Sequence, residues 1–224
     1  MRPKQTLLLG LLLLVPVLAF LFLKAFGTNR YALPTYLPDR VDSTQVGGKW
    51  QRDTVFHQLG NFRLPSQTGR VVTQKDLDGG LYVANFFFAT CPGACPRMNS
   101  LLMQVQEKFR HEPRVKFVSY TVDPAHDSVA VLGRYAEQYG AIAGKWFFLT
   151  GDKTALYQLA TQDYRLPAPS GAAPGLVHSQ NLYLVDRDKR VRGIYDGTKA
   201  KEITRLITEI SVMLYEYDHN QPGR

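Results

Sequence analysis

Hydrophobic and polar positions fall into several distinct patterns along this chain. Residues Leu7–Leu23 carry no charged side chain and only Gly10 and Pro16 as breaks. Further on, Leu81-Tyr-Val-Ala-Asn-Phe-Phe-Phe88 is a continuous apolar and aromatic run, the pattern of a strand buried on both faces. After it, Met98, Leu101, Leu102, Val105 and Phe109 recur at three- and four-residue steps, which predicts an amphipathic helix. Pro96 suits the first turn of that helix, where a missing N–H costs nothing. The alternation continues with a strand at Val115–Val122, a helix at Ser128–Tyr139 stopped by Gly140, and a strand at Lys145–Leu149. Asp152 then caps a helix reaching about Gln162. Upstream, Phe62–Pro65 and Val71–Thr73 flank Ser66-Gln-Thr-Gly69 as a hairpin. Asn181–Val185 and Val191–Tyr195 pair across Asp186-Arg-Asp-Lys189, and a last helix from near Thr198 carries Ile203, Leu206, Ile207, Ile210 and Leu214 on one side. Such an order of elements predicts an α/β sandwich around a mixed central sheet.

The first apolar run behaves differently from the rest. Arg2 and Lys4 precede it and Lys24 follows, without an Ala-x-Ala cleavage site. Seventeen residues reach roughly 26 Å as a helix, somewhat short of a ~30 Å hydrocarbon core but bridgeable by flanking residues. The expectation is one uncleaved N-terminal transmembrane helix, with a cleaved signal peptide as the alternative. Its positive start puts residues 1–6 in the cytoplasm and the body on the periplasmic or other extracytoplasmic side of the inner membrane. The expected organisation is a cytoplasmic start and anchor at 1–28, a tether at 29–53, a folded domain at 54–217 and a tail at 218–224. Pro34, Pro38, Gly47 and Gly48 suggest the tether.

Composition changes this picture little. The 224 residues are 45% hydrophobic and 21% charged, which excludes a disordered or collagen-like chain. Of the net charge of +8, Arg2, Lys4, Lys24 and Arg30 supply half with no acid among them. The rest is a mildly basic surface without interleaved Lys/Arg blocks and aromatics, so nucleic acid is not an expected partner. No feature calls for an obligate dimer, and a monomer is expected.

The chemistry rests on Cys91 and Cys95, the only cysteines. A structural disulfide is one reading, since oxidising compartments favour it. It would close a loop of about five residues, contributing only ~2 kcal/mol by chain entropy. Their place, between a strand end and a helix start, favours reactive sulfur instead, because a helix N-terminus stabilises thiolate. Thiolate is both the nucleophile of disulfide exchange and a soft ligand for copper(I). Among the five histidines, His57 and His111 are expected at the surface and His219 lies in the tail. His126 sits in a strand-to-helix loop. His178 stands apart, after the long Pro/Gly/Ala-rich stretch Asp163–Val177 and just before the strand at Asn181.

Taken together, Phe86-Phe-Phe-Ala-Thr-Cys-Pro-Gly-Ala-Cys-Pro-Arg-Met98, Tyr120-Thr-Val-Asp-Pro124, and Val177-His-Ser179 before Tyr183-Leu-Val-Asp186 resemble the SCO/SenC family of membrane-anchored copper proteins over roughly residues 53–215. The resemblance implies a thioredoxin-like fold and copper held by Cys91, Cys95 and His178. It also implies a role in building the binuclear copper site of cytochrome c oxidase, with that oxidase subunit as partner. Asp123 matches the family's Val-Asp-Pro element and is carried over as a residue supporting the site or touching the partner. Two departures stand out. Val177 occupies a position where many relatives have Asp, and His126 one where many have Arg, which leaves room for an accessory metal contact. The leading expectation is a copper metallochaperone, a role that does not exclude reducing the target's cysteines. The alternative is a membrane-anchored thiol–disulfide oxidoreductase using Cys91 and Cys95 as its redox pair without metal. A catalytic zinc site lacks an evident general base, and a peroxidase, despite Thr90 and Arg97, would not need the second cysteine.

Overall fold

The computed structural model describes residues 3–26, 33–47, 49–167 and 179–219. The chain divides into two units, 1–32 and 33–224.

In the first unit, α1 (Pro3–Phe26) forms where the apolar run lies and contains Pro16. Its described side chains, 11–22, include Leu11, Leu14, Leu18 and Phe22, each more than half exposed. Among the described residues, no helix is long and apolar enough to cross a membrane. The expected transmembrane helix is therefore a helix at the right place that is not shown to be a span.

The second unit opens with a difference from expectation. Most of the stretch read as a tether is a β-hairpin, β1 (Pro38–Val46) paired antiparallel with β2 (Lys49–Phe56). Its sequence is mostly polar, so the alternation that marks a half-buried strand is missing. Polar contacts fasten its base to the body. Arg165 donates to Pro38 O at 3.0 Å and pairs with Asp39, and Tyr36 N–H donates to Val191 O at 2.8 Å.

The other elements follow the predicted order. A short hairpin, β3 (Arg63–Pro65) and β4 (Val71–Thr73), precedes β5 (Leu81–Phe87) and α2 (Ala94–Lys108). Then come β6 (Val115–Thr121), α3 (Val129–Gln138), β7 (Trp146–Leu149) and α4 (Lys153–Gln158), which runs into a π-turn at Leu159–Asp163. The chain closes with β8 (Asn181–Val185), β9 (Val191–Asp196) and α5 (Ala200–His219). Ser128 and Asp152 cap α3 and α4, accepting from Val131 N–H and Ala155 N–H.

The central sheet has the order β7-β6-β5-β8-β9. The first three strands are parallel, β8 runs antiparallel to β5, and β9 antiparallel to β8. The sheet is mixed, as expected. Every residue of β5 is buried, because both faces are covered. Leu81, Val83 and Phe87 pack with Leu102, Val105, Leu132, Leu206 and Ile210 from α2, α3 and α5. The alternate residues Tyr82, Ala84 and Phe86 pack with Leu64, Val72, Leu156 and Leu159 on the opposite face. The helical layer on one face and the β3–β4 hairpin with α4 on the other would each leave apolar surface in water without the sheet between them. That mutual burial, at ~25 cal/mol per Å² of apolar surface, is what holds the layers together.

This topology decides where the loops meet. Because β5 and β6 are parallel neighbours, the loops leaving their carboxyl ends lie side by side, joined by Val122 N–H donating to Phe87 O at 2.9 Å. Since β8 is antiparallel to β5, pairing Ala84 with Tyr183, its first residue enters from that same end. Open α/β sheets carry their sites at the carboxyl ends of the strands.

Candidate thiol and metal site

Cys91 and Cys95 sit where β5 hands over to α2. The Cys91 N–H donates to Phe88 O at 3.1 Å, which curls the chain back before Gly93 at the helix N-cap. The first N–H groups of α2 have no partner inside the helix. Both cysteines are free thiols, Cys91 partly exposed and Cys95 buried at 3% exposure among Met98, Leu102 and Phe87.

The two thiols are unequal for physical reasons. Burial pushes the Cys91 thiol up, yet the Cys95 S–H and the N–H groups of Gly93, Cys95 and Ala94 outweigh it, so the net pKa is lowered. Cys95 is pushed up to about 12, first by burial and then because its proton is held in the hydrogen bond to Cys91. One sulfur is the more accessible and more acidic thiol, and the other is its buried proton donor. This is the asymmetry of an attacking and a resolving thiol, and equally of two sulfurs that surrender one proton readily and a second only to a metal.

The loop after β6 forms the other lip. Asp123 lies in this loop. Its N–H donates to Thr121 Oγ1 at 3.0 Å, and its carboxylate accepts from the His126 Nδ1–H at 2.8 Å. A residue the sequence did not single out, Asp127, ties the two lips together. Its carboxylate is 1% exposed and accepts from the Ala89 N–H at 3.1 Å and from the Thr121 hydroxyl. Burial raises its pKa, and those two hydrogen bonds offset part of the rise. Asp127 stands one residue before a helix cap, where an exposed capping role is the ordinary reading. Its burial follows from the 38-residue contact with Ala89, which no local pattern announces.

His178 lies outside the described residues. The chain next to it is described, and hydrogen bonds link it through Gly197 and Thr198 to α2. Gln180 O accepts from Gly197 N–H at 2.7 Å. The neighbouring Thr198 O accepts from Arg97 Nε–H at 2.6 Å, in the first turns of α2. Met98 also stands so close to Gly197 that a side chain there would collide with it. Ser179 and Gln180 therefore run beside the helix that begins at the cysteines. Among the described residues, no three His, Cys, Asp or Glu side chains group to hold a metal ion.

The remaining histidines are elsewhere. His219 Nδ1 meets Tyr215 O near the end of α5. His57 is not the surface residue expected. Its side chain is 21% exposed and lies between Asp39 at 3.3 Å and Asp163 at 3.6 Å, at the root of the β1–β2 hairpin.

The SCO1/SenC family model matches residues 51–214. The "SCO1 protein homolog" of Bacillus subtilis is 27% identical over 168 residues, covering 73% of this chain and 86% of its own. BsSco, described as a member of the Sco family of cytochrome c oxidase assembly proteins with a disulfide switch, superimposes with a TM-score of 0.60. It is 26% identical, over 70% of this chain and 92% of its own. Bradyrhizobium japonicum ScoI, solved with copper bound, has a TM-score of 0.55 at 23% identity over 69% of this chain and 98% of its own. That likeness extends the shared fold to a more distant protein. With the family match running through both cysteines and on past His178, this chain belongs to the SCO1/SenC family.

Proposed function

We propose that this protein carries copper, held by Cys91, Cys95 and His178, to the copper-site subunit of cytochrome c oxidase. One observation carries the reading. The segment that leaves His178 is linked to α2 two residues past Cys95, through the Gln180–Gly197 and Thr198–Arg97 bonds. The donor set suits the cargo, since two thiolate sulfurs and a neutral imidazole match the softness of copper(I). Copper bound in this way is cargo, and three ligands leave room for an incoming donor to take it by ligand exchange. The names of the relatives, an oxidase assembly protein and a copper-bound ScoI, point the same way.

The uncharged run Leu7–Leu23 within α1, with Arg2 and Lys4 before it, is proposed to anchor the chain as a single pass in the inner membrane. The body then lies on the extracytoplasmic side. Asp123 is proposed to support the site or meet the partner subunit.

Competition titration of the reduced full-length chain against a copper(I) chelator tests the ligand set. His178→Ala should weaken binding by at least about a hundredfold, since losing even a residue that merely supports a ligand costs about 10–100-fold. Unchanged affinity would exclude His178 and, with it, this reading.

A second reading has its own support. The contrast between a lowered Cys91 and a raised Cys95 suits a reductase in which Cys91 attacks a disulfide and Cys95 resolves the mixed disulfide. Full oxidase assembly in cells carrying His178→Ala, with assembly lost in Cys91→Ser, would favour it over copper delivery.

A further inference from the structure

The lip beside Cys91 carries an imidazole that the copper reading leaves unused. His126 lies in the loop after β6, and that loop is tied to the cysteine loop twice, by Val122 N–H on Phe87 O and by Ala89 N–H on the buried Asp127 carboxylate. The His126 backbone is fixed as well. Its N–H donates to Asp123 O at 3.1 Å, and its carbonyl accepts from Ser128 N–H at 3.1 Å. The ring is oriented by Asp123, whose Oδ2 stands 2.8 Å from Nδ1. Asp123 is itself held, with 17% of its side chain exposed, while the imidazole is 74% exposed.

A carboxylate only accepts, so Nδ1 carries the hydrogen. In the neutral ring, Nε2 then keeps its lone pair, on the side of the imidazole away from Asp123. Among the described residues nothing hydrogen-bonds to Nε2. A ring N–H resting on a carboxylate is the arrangement that metal-bound histidines show, because it fixes the tautomer and raises the basicity of the other nitrogen. An exposed His–Asp pair with no further role would stabilise the fold by little.

We infer that His126 is a transit ligand for copper: Nε2 takes the ion at the rim and passes it to Cys91. This rests on the copper reading above. In the first exchange an Nε2–copper bond forms as the donor's ligand leaves. In the second a Cys91 sulfur–copper bond forms as the Nε2–copper bond breaks. The oxidation state of copper does not change. Nε2 releases no proton, and a proton still on Cys91 goes to water. Thiolate binds copper(I) more strongly than a single imidazole does, so the ion moves inward.

The test is a stopped-flow measurement of the reduced full-length chain mixed with copper(I) held by a chromogenic chelator. His126→Ala should load about tenfold more slowly, with an equilibrium affinity within about twofold of the parent. His126→Gln, close in volume and a poor copper ligand, should behave alike. An unchanged loading rate in variants that keep two titratable thiols and the parental circular dichroism would overturn the inference. So would an equal loss of rate and affinity, which makes His126 a resident ligand. A parent chain that takes up no copper(I) would sink the copper reading and this inference together, an outcome distinct from either.

Discussion

Two cysteines four positions apart behave as different chemical species because of what surrounds each sulfur. Cys91 receives N–H groups from the opening of α2, whereas Cys95 faces Leu102 and Phe87 in the core. A neutral alkylating agent should therefore modify Cys91 far ahead of Cys95 between pH 7 and 8. The Cys91 rate should fall only below its lowered pKa, while Cys95, pushed up to about 12, stays protonated throughout. Peptide mapping by mass spectrometry after timed quenching reads both rates, and equal labelling would contradict the assigned asymmetry. The residues carrying this chemistry were legible from their spacing and their place before an amphipathic run. Asp127 was not, since a carboxylate beside a helix cap has an ordinary local explanation. Its burial depends on Ala89, in the loop after β5, and Thr121, at the end of β6, meeting at its carboxylate.

Among the elements, β5 decides where the site lies, and its entry is unusually tight. A Cβ on Gly80 would stand 2.2 Å from Arg114 O, in the turn that feeds β6. The close approach lets Leu81 N–H reach that same carbonyl at 2.8 Å and starts the parallel pairing of Leu81 with Val115. Gly80→Ala should cost about 1–3 kcal/mol, the usual range for overpacking. Gly133, inside α3, would carry a Cβ 3.5 Å from Gln67 O, an ordinary contact distance, so Gly133→Ala should leave stability unchanged or raise it by up to about 1 kcal/mol. Denaturant midpoints at constant m-value compare the two, and equal losses would refute the steric account. Element legibility followed burial. The continuous apolar run of β5 and the stepped apolar positions of α2, α3 and α5 were evident. The β1–β2 hairpin was not, because strands such as Pro38–Val46 present mostly polar side chains and owe their pairing to backbone hydrogen bonds and to the Arg165 and His57 contacts at their base.

Across the whole molecule, stability at acid pH should reflect two carboxylates shifted in opposite directions. Asp196 is lowered to about 2 by the Thr198 hydroxyl, Lys199 and the Thr198 N–H. Its contribution is present above the ordinary aspartate pKa of ~3.9 and is lost as the pH falls towards 2. Asp127 is raised by burial, so the folded state holds its proton longer than the unfolded chain does. Its contribution is present below ~3.9 and is lost as the pH rises through its raised folded value. Relative to the parent, Asp127→Asn should gain stability as the pH climbs from about 4, and Asp196→Asn should flatten the loss below it. Urea midpoints taken across pH 2–7 measure both slopes, and parallel curves for parent and variants would refute these assignments.

The amino-acid sequence by itself determined the order of strands and helices from β3 onward, the mixed sandwich and the two sulfurs at a helix start. Periodicity, capping and turn chemistry are local properties, readable a few residues at a time. Only the tertiary structure decided which thiol is exposed, which aspartate is buried, and that the chain leaving His178 runs beside α2. Those outcomes depend on dielectric and hydrogen-bond partners set by contacts between distant segments, as when β8 enters antiparallel to β5 at the same end as the cysteine loop.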